Sequence, residues 1–418
     1  MIMKKYVMVG CGHRGMKSYA EPLVKEYGDC AQLCGVYDIN KKRAILVSEM
    51  TGKEIPVYDD FDKMLDEVKP DAVIITTKDC DHDFYAIKAM KHGCDVIVEK
   101  PLTTTFEKAL EIKKVQEETK KDITVTFNLR FHPFFKRVKE LIKEGTIGKI
   151  CSIHYEWLLD TSHGADYFHR WHCIRENSGS LLIHKSSHHF DIANWFLEEE
   201  PIAVNAFGTR RFYGTNKEAP AERCIECPEK ATCKHNCGMD SDTPNAEFLR
   251  KLYLECESED GYLRDRCVYS DRVDIEDSVS LNVMYSGGAI MSYTLTAHSP
   301  YEGVRLVLNG TKGRIEMSTK DLSQMGYDIQ SERSLKIFNY KGEEITMNVP
   351  LTTSSDHGGA DIELRDRMFR NKNLPDPLNQ MADMWAGLMA TGIGMAANVS
   401  MKEGRQVSLS EFYEELRK

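Results

Sequence analysis

The sequence predicts two folds in series. The first is an α/β part with a parallel sheet covered on both faces. The second is an α+β part built on a large, mostly antiparallel sheet. Three observations predict this. Residues 6–127 alternate short apolar runs with helix-length stretches, the pattern of parallel strands joined by crossover helices. The first apolar run leads into Gly10-Cys11-Gly12-His13-Arg14-Gly15. Beyond residue 270 the texture changes to short alternating strands separated by glycine or charged turns.

Strands are expected at 6–9, 31–37, 55–58, 72–76, 96–98 and 123–127, with helices at 16–27, 61–67, 81–91 and 106–117. A helix at 134–144 follows, then a strand at 150–157, a histidine-rich region, a helix from about residue 186 and a strand at 201–207. Residues 214–270 are polar, cysteine-rich and irregular, an insertion rather than a core. Six strands lie at 278–285, 289–297, 304–309, 313–317, 334–339 and 344–349, and helices at 360–370, 377–399 and 409–416 close the chain. The domains are therefore 1–128 and 129–418, the second carrying the insertion 214–270.

The glycine motif between a strand and a helix, with Asp38 ending the next strand, specifies a Rossmann-type dinucleotide-binding domain. Gly10 permits the tight turn, Gly12 lets a pyrophosphate approach the backbone, and Gly15 allows close helix–strand packing. The helix start at His13 and Arg14 offers unpaired amides to phosphate. Asp38 accepts from the adenine-ribose hydroxyls, and its charge disfavours a 2′-phosphate, so NAD is preferred. Lys41, Lys42 and Arg43 keep NADP open, since they could neutralise that phosphate. Thr77 follows the fourth strand at the same crevice and is a further candidate cofactor contact.

With 65 acidic and 55 basic residues the net charge is −10, which weighs against a nucleic-acid binder. No membrane span or leader is readable, so the expected location is cytoplasmic. Thirteen cysteines include Cys224, Cys227, Cys233 and Cys237 within fourteen residues. In a cytoplasmic chain that spacing points to structural zinc, with an iron–sulfur centre or free thiols as alternatives.

The motifs Gly10/Gly12/Gly15/Asp38, Glu99-Lys100-Pro101, Asn128-Leu129-Arg130 and Asn309-Gly310-Thr311-Lys312-Gly313 together resemble the Gfo/Idh/MocA family over nearly the whole chain apart from much of 214–270. The resemblance implies NAD(P)-dependent dehydrogenases of sugars, cyclitols and related polyols, with a few branches that use NAD transiently to cleave glycosides. It implies cofactor contacts at His82 and Glu99, Lys100 beside the nicotinamide, an often cis Lys100–Pro101 bond, a homo-oligomer, and Cys267 as an alternative fourth metal ligand. A later family motif, G-G-x-L-x-D-x-G-x-H-x-x-D, corresponds to Gly179, Ser180, Leu182, His184, Ser186, His188 and Asp191. His184 thus replaces an acid, and Ser180 and Ser186 replace glycines.

Hydride transfer needs a base at the alcohol oxygen and polar groups that present the sugar. His188 is the base or relay and Lys100 its electrostatic partner, or Lys100 is itself the base if burial or positive charge lowers its pKa. His184 binds substrate or shares the proton. Arg130, Tyr167, Trp171, His184, Lys185 and His188 are the candidate substrate contacts. The six histidines from His163 to His189 are explained more simply by a polar sugar-binding loop than by a catalytic metal. The reaction is then sugar or glycoside dehydrogenation. The alternatives are NAD-dependent glycoside hydrolysis and a non-catalytic nucleotide or sugar sensor.

Overall fold

The computed structural model describes residues 3–321, 332–350 and 356–417. Its chain divides into two units. The first comprises 1–128, 238–264 and 360–388, and the second 129–237, 265–359 and 389–418.

In the first unit, β1 (Lys4–Val9), β2 (Ala31–Tyr37), β3 (Val57–Tyr58), β4 (Ala72–Ile75), β5 (Asp95–Val98) and β6 (Ile123–Val125) pair in parallel in the order β6-β5-β4-β1-β2-β3. Val7, Met8, Val9, Val73, Ile74 and Ile75 are essentially inaccessible, as expected where helices cover both faces of a sheet. Strand order reverses between β1 and β4. Gly10 and Thr76-Thr77 therefore sit at the carboxyl ends flanking the switch point, where open α/β sheets bind ligands. Asp38 ends β2, and Glu99-Lys100-Pro101 ends β5.

Three differences from the expected elements have local causes. The first helical run starts at His13–Gly15, passes through a π-helical stretch at Met16–Ala20 and ends as Glu21–Lys25. A further helix, Lys41–Thr51, opens on Asn40, whose side chain accepts from the Arg43 amide at 3.0 Å. Residues 377–383, expected to be helical, instead form a turn and a short strand. Asp376 accepts from the Gln380 and Met381 amides at 2.8 Å each, Asn379 is left-handed at φ 54°, and Ala382–Asp383 pairs antiparallel with β6. The helix starts only at Met384, where the Asp383 carboxylate accepts from the Ala386 amide at 2.9 Å.

The second unit holds β7 (Ile150–Asp160), β8 (Pro201–Thr209), β9 (Ser278–Tyr285), β10 (Ile290–Ser299), β11 (Glu302–Gly310), β12 (Gly313–Asp321), β13 (Glu332–Asn339) and β14 (Glu344–Met347) in the order β14-β13-β12-β11-β7-β10-β9-β8, closed by Val407–Ser408. The pairing is antiparallel except for β7 with β10. Burial alternates along β9 and β10, so Val279, Leu281, Val283, Met291, Tyr293 and Leu295 face the core. The opposite face exposes Phe207, Met284 and Ile290. The Ser187–Leu197 helix packs on the core face through His189 Nδ1 and Tyr293 Oη (2.7 Å), the Phe190 ring (5.0 Å from Tyr293) and Tyr285 Oη, which donates to Asn194 Oδ1 (3.0 Å).

The stretch 214–270, expected to be irregular, is partly ordered as the helix Pro244–Leu252, capped by Thr243. Its part from Gly238 to Arg264 belongs to the first unit.

Candidate functional site

In the first unit the glycine turn is built by close approach. Gly10 has φ 87°, and a Cβ there would lie 2.6 Å from the Thr76 carbonyl. A Cβ on Gly15 would lie 2.5 Å from Gly10 O and Thr76 Oγ1. Only glycine fits either position, while a Cβ on Gly12 would meet Tyr253 Oη at an ordinary 3.5 Å. The amide of His13, in the first turn, donates to Tyr253 Oη at 3.0 Å. That donor, expected to be unpaired, is thus taken by a side chain of the insertion. Asp38 is gripped by the Cys11 amide (2.6 Å) and the Asn40 amide (2.8 Å). Burial raises its pKa, against the opposing pull of Arg43 and these two amides. A carboxylate held at the end of β2 beside a glycine cradle fits an NAD ribose.

Arg14 links the turn to the loop after β5. Its guanidinium donates to Glu99 Oε1 at 2.7 Å and reaches Asp361 at 3.3 Å. Glu99 also accepts from Tyr19 Oη at 2.5 Å. Burial would raise the Glu99 carboxyl, but Arg14 and the Tyr19 hydroxyl hold it below the ordinary range. Arg14 and Glu99, expected to touch cofactor, thus fix the half-buried Lys100, whose amide donates to Glu99 Oε2 at 3.2 Å. The Lys100–Pro101 bond is cis. His82 is buried with Nδ1 2.7 Å from Pro101 O, and burial lowers its pKa, so it braces the same loop as a neutral ring. Thr77 stands at the switch point, its amide 2.7 Å from the Cβ position of Gly10. Asp361, which joins this network and also accepts from Asn128 Nδ2 at 2.7 Å, carries no sequence signal linking it to the glycine turn.

In the second unit the residues of the histidine-rich motif gather. His184 lies with its ring centroid 4.2 Å from His172, 5.3 Å from Tyr167 and 5.8 Å from Trp171. Tyr167 Oη meets His163 Nε2 at 3.1 Å, and His163 Nδ1 meets Glu302 at 3.2 Å. Trp171 stacks on His172 at 3.6 Å, so one face of its indole is already covered. His188 sits half-buried in the first turn of the Ser187–Leu197 helix. Lys185 holds its ammonium 5.3 Å from the Trp157 ring centroid, and loss of water lowers its pKa against the pull of Glu302. Trp157 and Glu302 are additions to the sequence reading. Ser180, standing where the family motif has a glycine, takes φ 107° and is held by a bond to Asn398 Oδ1 at 2.9 Å.

Two expectations are corrected. Arg130, a candidate substrate contact, is buried and gives Nε and Nη2 to Asp191 at 2.8 and 2.6 Å. Its fork anchors the helix that carries His188, a tying role rather than a grip on substrate. The zinc expected on Cys224, Cys227, Cys233 and Cys237, with Cys267 as alternative, finds no support. Cys224, Cys227, Cys233 and Cys267 line one cavity with His169 and His235. Among the described residues, however, no three His, Cys, Asp or Glu side chains are arranged to hold a metal. His169 instead turns its two ring nitrogens to the carbonyls of Arg266 and His235 at 2.6 and 2.7 Å. Nor is any helix among the described residues long and apolar enough to cross a membrane.

Comparison with known proteins agrees with this geometry. Residues 4–127 match the Gfo/Idh/MocA description "Oxidoreductase family, NAD-binding Rossmann fold", and residues 139–409 match its "C-terminal alpha/beta domain". A Bacillus subtilis (strain 168) protein, YteT, named as an oxidoreductase, is 32% identical over 99% of both chains. The scyllo-inositol 2-dehydrogenase (NAD(+)) of the same organism is 31% identical over 48% of this chain and 56% of its own. An oxidoreductase from Agrobacterium radiobacter, solved in complex with NAD+, L-tartaric acid and magnesium, shares the fold with a TM-score of 0.65. It is 17% identical over 98% of this chain and 99% of its own.

Proposed function

The chain belongs to the Gfo/Idh/MocA oxidoreductase family, and from that premise we propose that it oxidises a hydroxyl-bearing carbon of a sugar, cyclitol or glycoside with NAD+. One observation carries this reading. Lys100 sits on a loop at the carboxyl end of β5, and Arg14 and Glu99 tie that loop to the dinucleotide turn. The scyllo-inositol 2-dehydrogenase among the relatives supports the substrate class.

The glycine turn from Gly10 to Gly15 takes the pyrophosphate against its backbone, although its Cys11 and His13 amides are engaged by Asp38 and Tyr253, and Asp38 takes the adenine-ribose hydroxyls. Thr77 lines the switch point, and His82 fixes the loop of Glu99 and Lys100 from behind. Bound NAD+ supplies the hydride acceptor. Lys100 steadies negative charge as it develops on the substrate oxygen, and His188 accepts the hydroxyl proton. His184, Lys185, Tyr167 and Trp171 present the hydroxyl face of the sugar. The exposed outer face of the second sheet, with Phe207, Met284 and Ile290, serves a homo-oligomer in the same reading.

His184 at the place of the motif's acid favours a second reading. In it, oxidation is transient: the aglycone leaves by elimination, water adds to the resulting double bond, and the hydride returns to the ketone, so that NAD+ is regenerated. One experiment separates the two. Purified protein with NAD+ is offered free sugars, cyclitols and glycosides, while NADH absorbance and aglycone release are followed together. The proposed dehydrogenase gives NADH in proportion to product. Aglycone release without net NADH supports the second reading, and neither signal contradicts both.

A further inference from the structure

We propose that the segment 257–260 of the insertion is a cofactor-selection element, in which Asp260 withholds Arg43 from a 2′-phosphate and so makes the site select NAD over NADP. The inference rests on the dinucleotide reading above and deepens it. Three basic residues follow Asp38, and each meets an acid. Lys41 pairs with Asp59 at 2.7 Å. Lys42 lies 3.6 Å from Glu259 and donates to Ser258 Oγ at 2.8 Å. Arg43 is buried and divides Nη1 between Asp38 Oδ1 at 3.4 Å and Asp260 Oδ2 at 3.2 Å. Two of these acids, Glu259 and Asp260, come from the insertion, more than two hundred residues along the chain.

The segment is built into place. Asn40 Nδ2 donates to Cys256 O at 2.8 Å, and Arg43 Nε donates to Leu252 O at 3.3 Å. The Tyr253 ring lies 5.5 Å from the Arg43 guanidinium and 4.9 Å from that of Arg264. Arg43 is thus oriented by contacts to the insertion's backbone as well as by charge. Burial alone would make its guanidinium easier to deprotonate, but Asp38 and Asp260 more than reverse this and keep it charged.

Charge then decides selection. Asp38 and Asp260 set two carboxylates against the Arg43 guanidinium before any ligand arrives. A ribose 2′-hydroxyl can donate to Asp38 without penalty. A 2′-phosphate would bring further negative charge into a desolvated corner where the buried Arg43 guanidinium is already shared. Asp38 alone disfavours that phosphate. Asp260 adds the second barrier by occupying the side chain best shaped to bind it.

The test is direct titration of the full chain with NAD+ and with NADP+, read by calorimetry, for the native protein, Asp260→Asn and Asp260→Asn/Arg43→Met. Asp260→Asn is expected to tighten NADP+ binding about tenfold relative to NAD+, with NAD+ affinity changed less than twofold. Adding Arg43→Met should abolish the gain. If Asp260→Asn melts well below the native protein, Asp260→Ser is read in its place. An unchanged NAD+/NADP+ ratio in the folded variant overturns the proposal and leaves the dinucleotide site standing. Failure of the native protein to bind either dinucleotide overturns both.

Discussion

Lys100→Ala should lower kcat/KM by about a thousandfold and leave the melting temperature within a few degrees of native. The magnitude follows from what a positioned proton-transfer or charge-stabilising group contributes, about 10²- to 10⁴-fold. Fold retention follows from the local structure. The loop is held by the Glu99 carboxylate on Arg14 and Tyr19, and by His82 Nδ1 on the Pro101 carbonyl, none of which uses the Lys100 ammonium. NAD+ affinity, measured by titration, should change less than fivefold. Steady-state rates with the best substrate of the panel check the first part. A variant with near-native turnover would remove Lys100 from the chemistry, and one that fails to fold would show that the loop depends on it.

Gly10→Ala carries the second large effect, on the site rather than on the chemistry. Two costs add there. An alanine at φ 87° is strained, and its Cβ would press against the Thr76 carbonyl, backbone that cannot rotate away. Together these should destabilise the first unit by about 3 kcal/mol. The turn's amides would move with the displaced backbone, and NAD+ affinity should fall about 100-fold. Gly52 separates the two costs. It is also left-handed, at φ 70°, but nothing lies within 4 Å of its Cβ position. Gly52→Ala should therefore cost only about 1 kcal/mol and leave NAD+ binding unchanged. Denaturant melts and titrations of the two variants make the comparison. Equal losses would mean that the close approach of Thr76 to Gly10 does not matter.

The contrast between these glycines also shows what the sequence discloses. The strand–glycine–helix order, Asp38 at the end of β2 and Lys100 at the end of β5 were legible because each depends on neighbours in sequence. Apolar runs of parallel strands and a motif of six consecutive residues are local signals. The second sheet was legible for the same reason, since its strands alternate in burial. The parallel pairing of β7 with β10 was not, because alternation fixes which face is buried and not which strand is the neighbour.

What escaped was set by distant partners. Arg14 was named for its amide at the helix start, and nothing local signalled that its guanidinium would bind Glu99 and Asp361. Arg130 was expected to face substrate, but the Asp191 carboxylate takes its fork. The insertion was read as one irregular block because polar composition hides an ordered segment. The Thr243 cap and the Pro244–Leu252 helix take their place beside the glycine turn, where the Phe248 ring lies 5.7 Å from that of His13, a partner far away in sequence. The cysteine spacing shows the opposite failure, a strong local signal that, among the described residues, yields no group of three side chains placed to hold a metal.

The central claim is that hydrogen leaves a carbohydrate carbon with its electron pair and arrives on the nicotinamide. The most direct measurement follows that hydrogen. The best substrate of the panel, deuterated at the carbon to be oxidised, is incubated with the native protein and NAD+, and the NADH is analysed by mass spectrometry. The account predicts one deuterium per NADH formed, with product oxidised at the labelled carbon. NADH formed without deuterium, or turnover that proceeds in protein stripped of all NAD+, would contradict it.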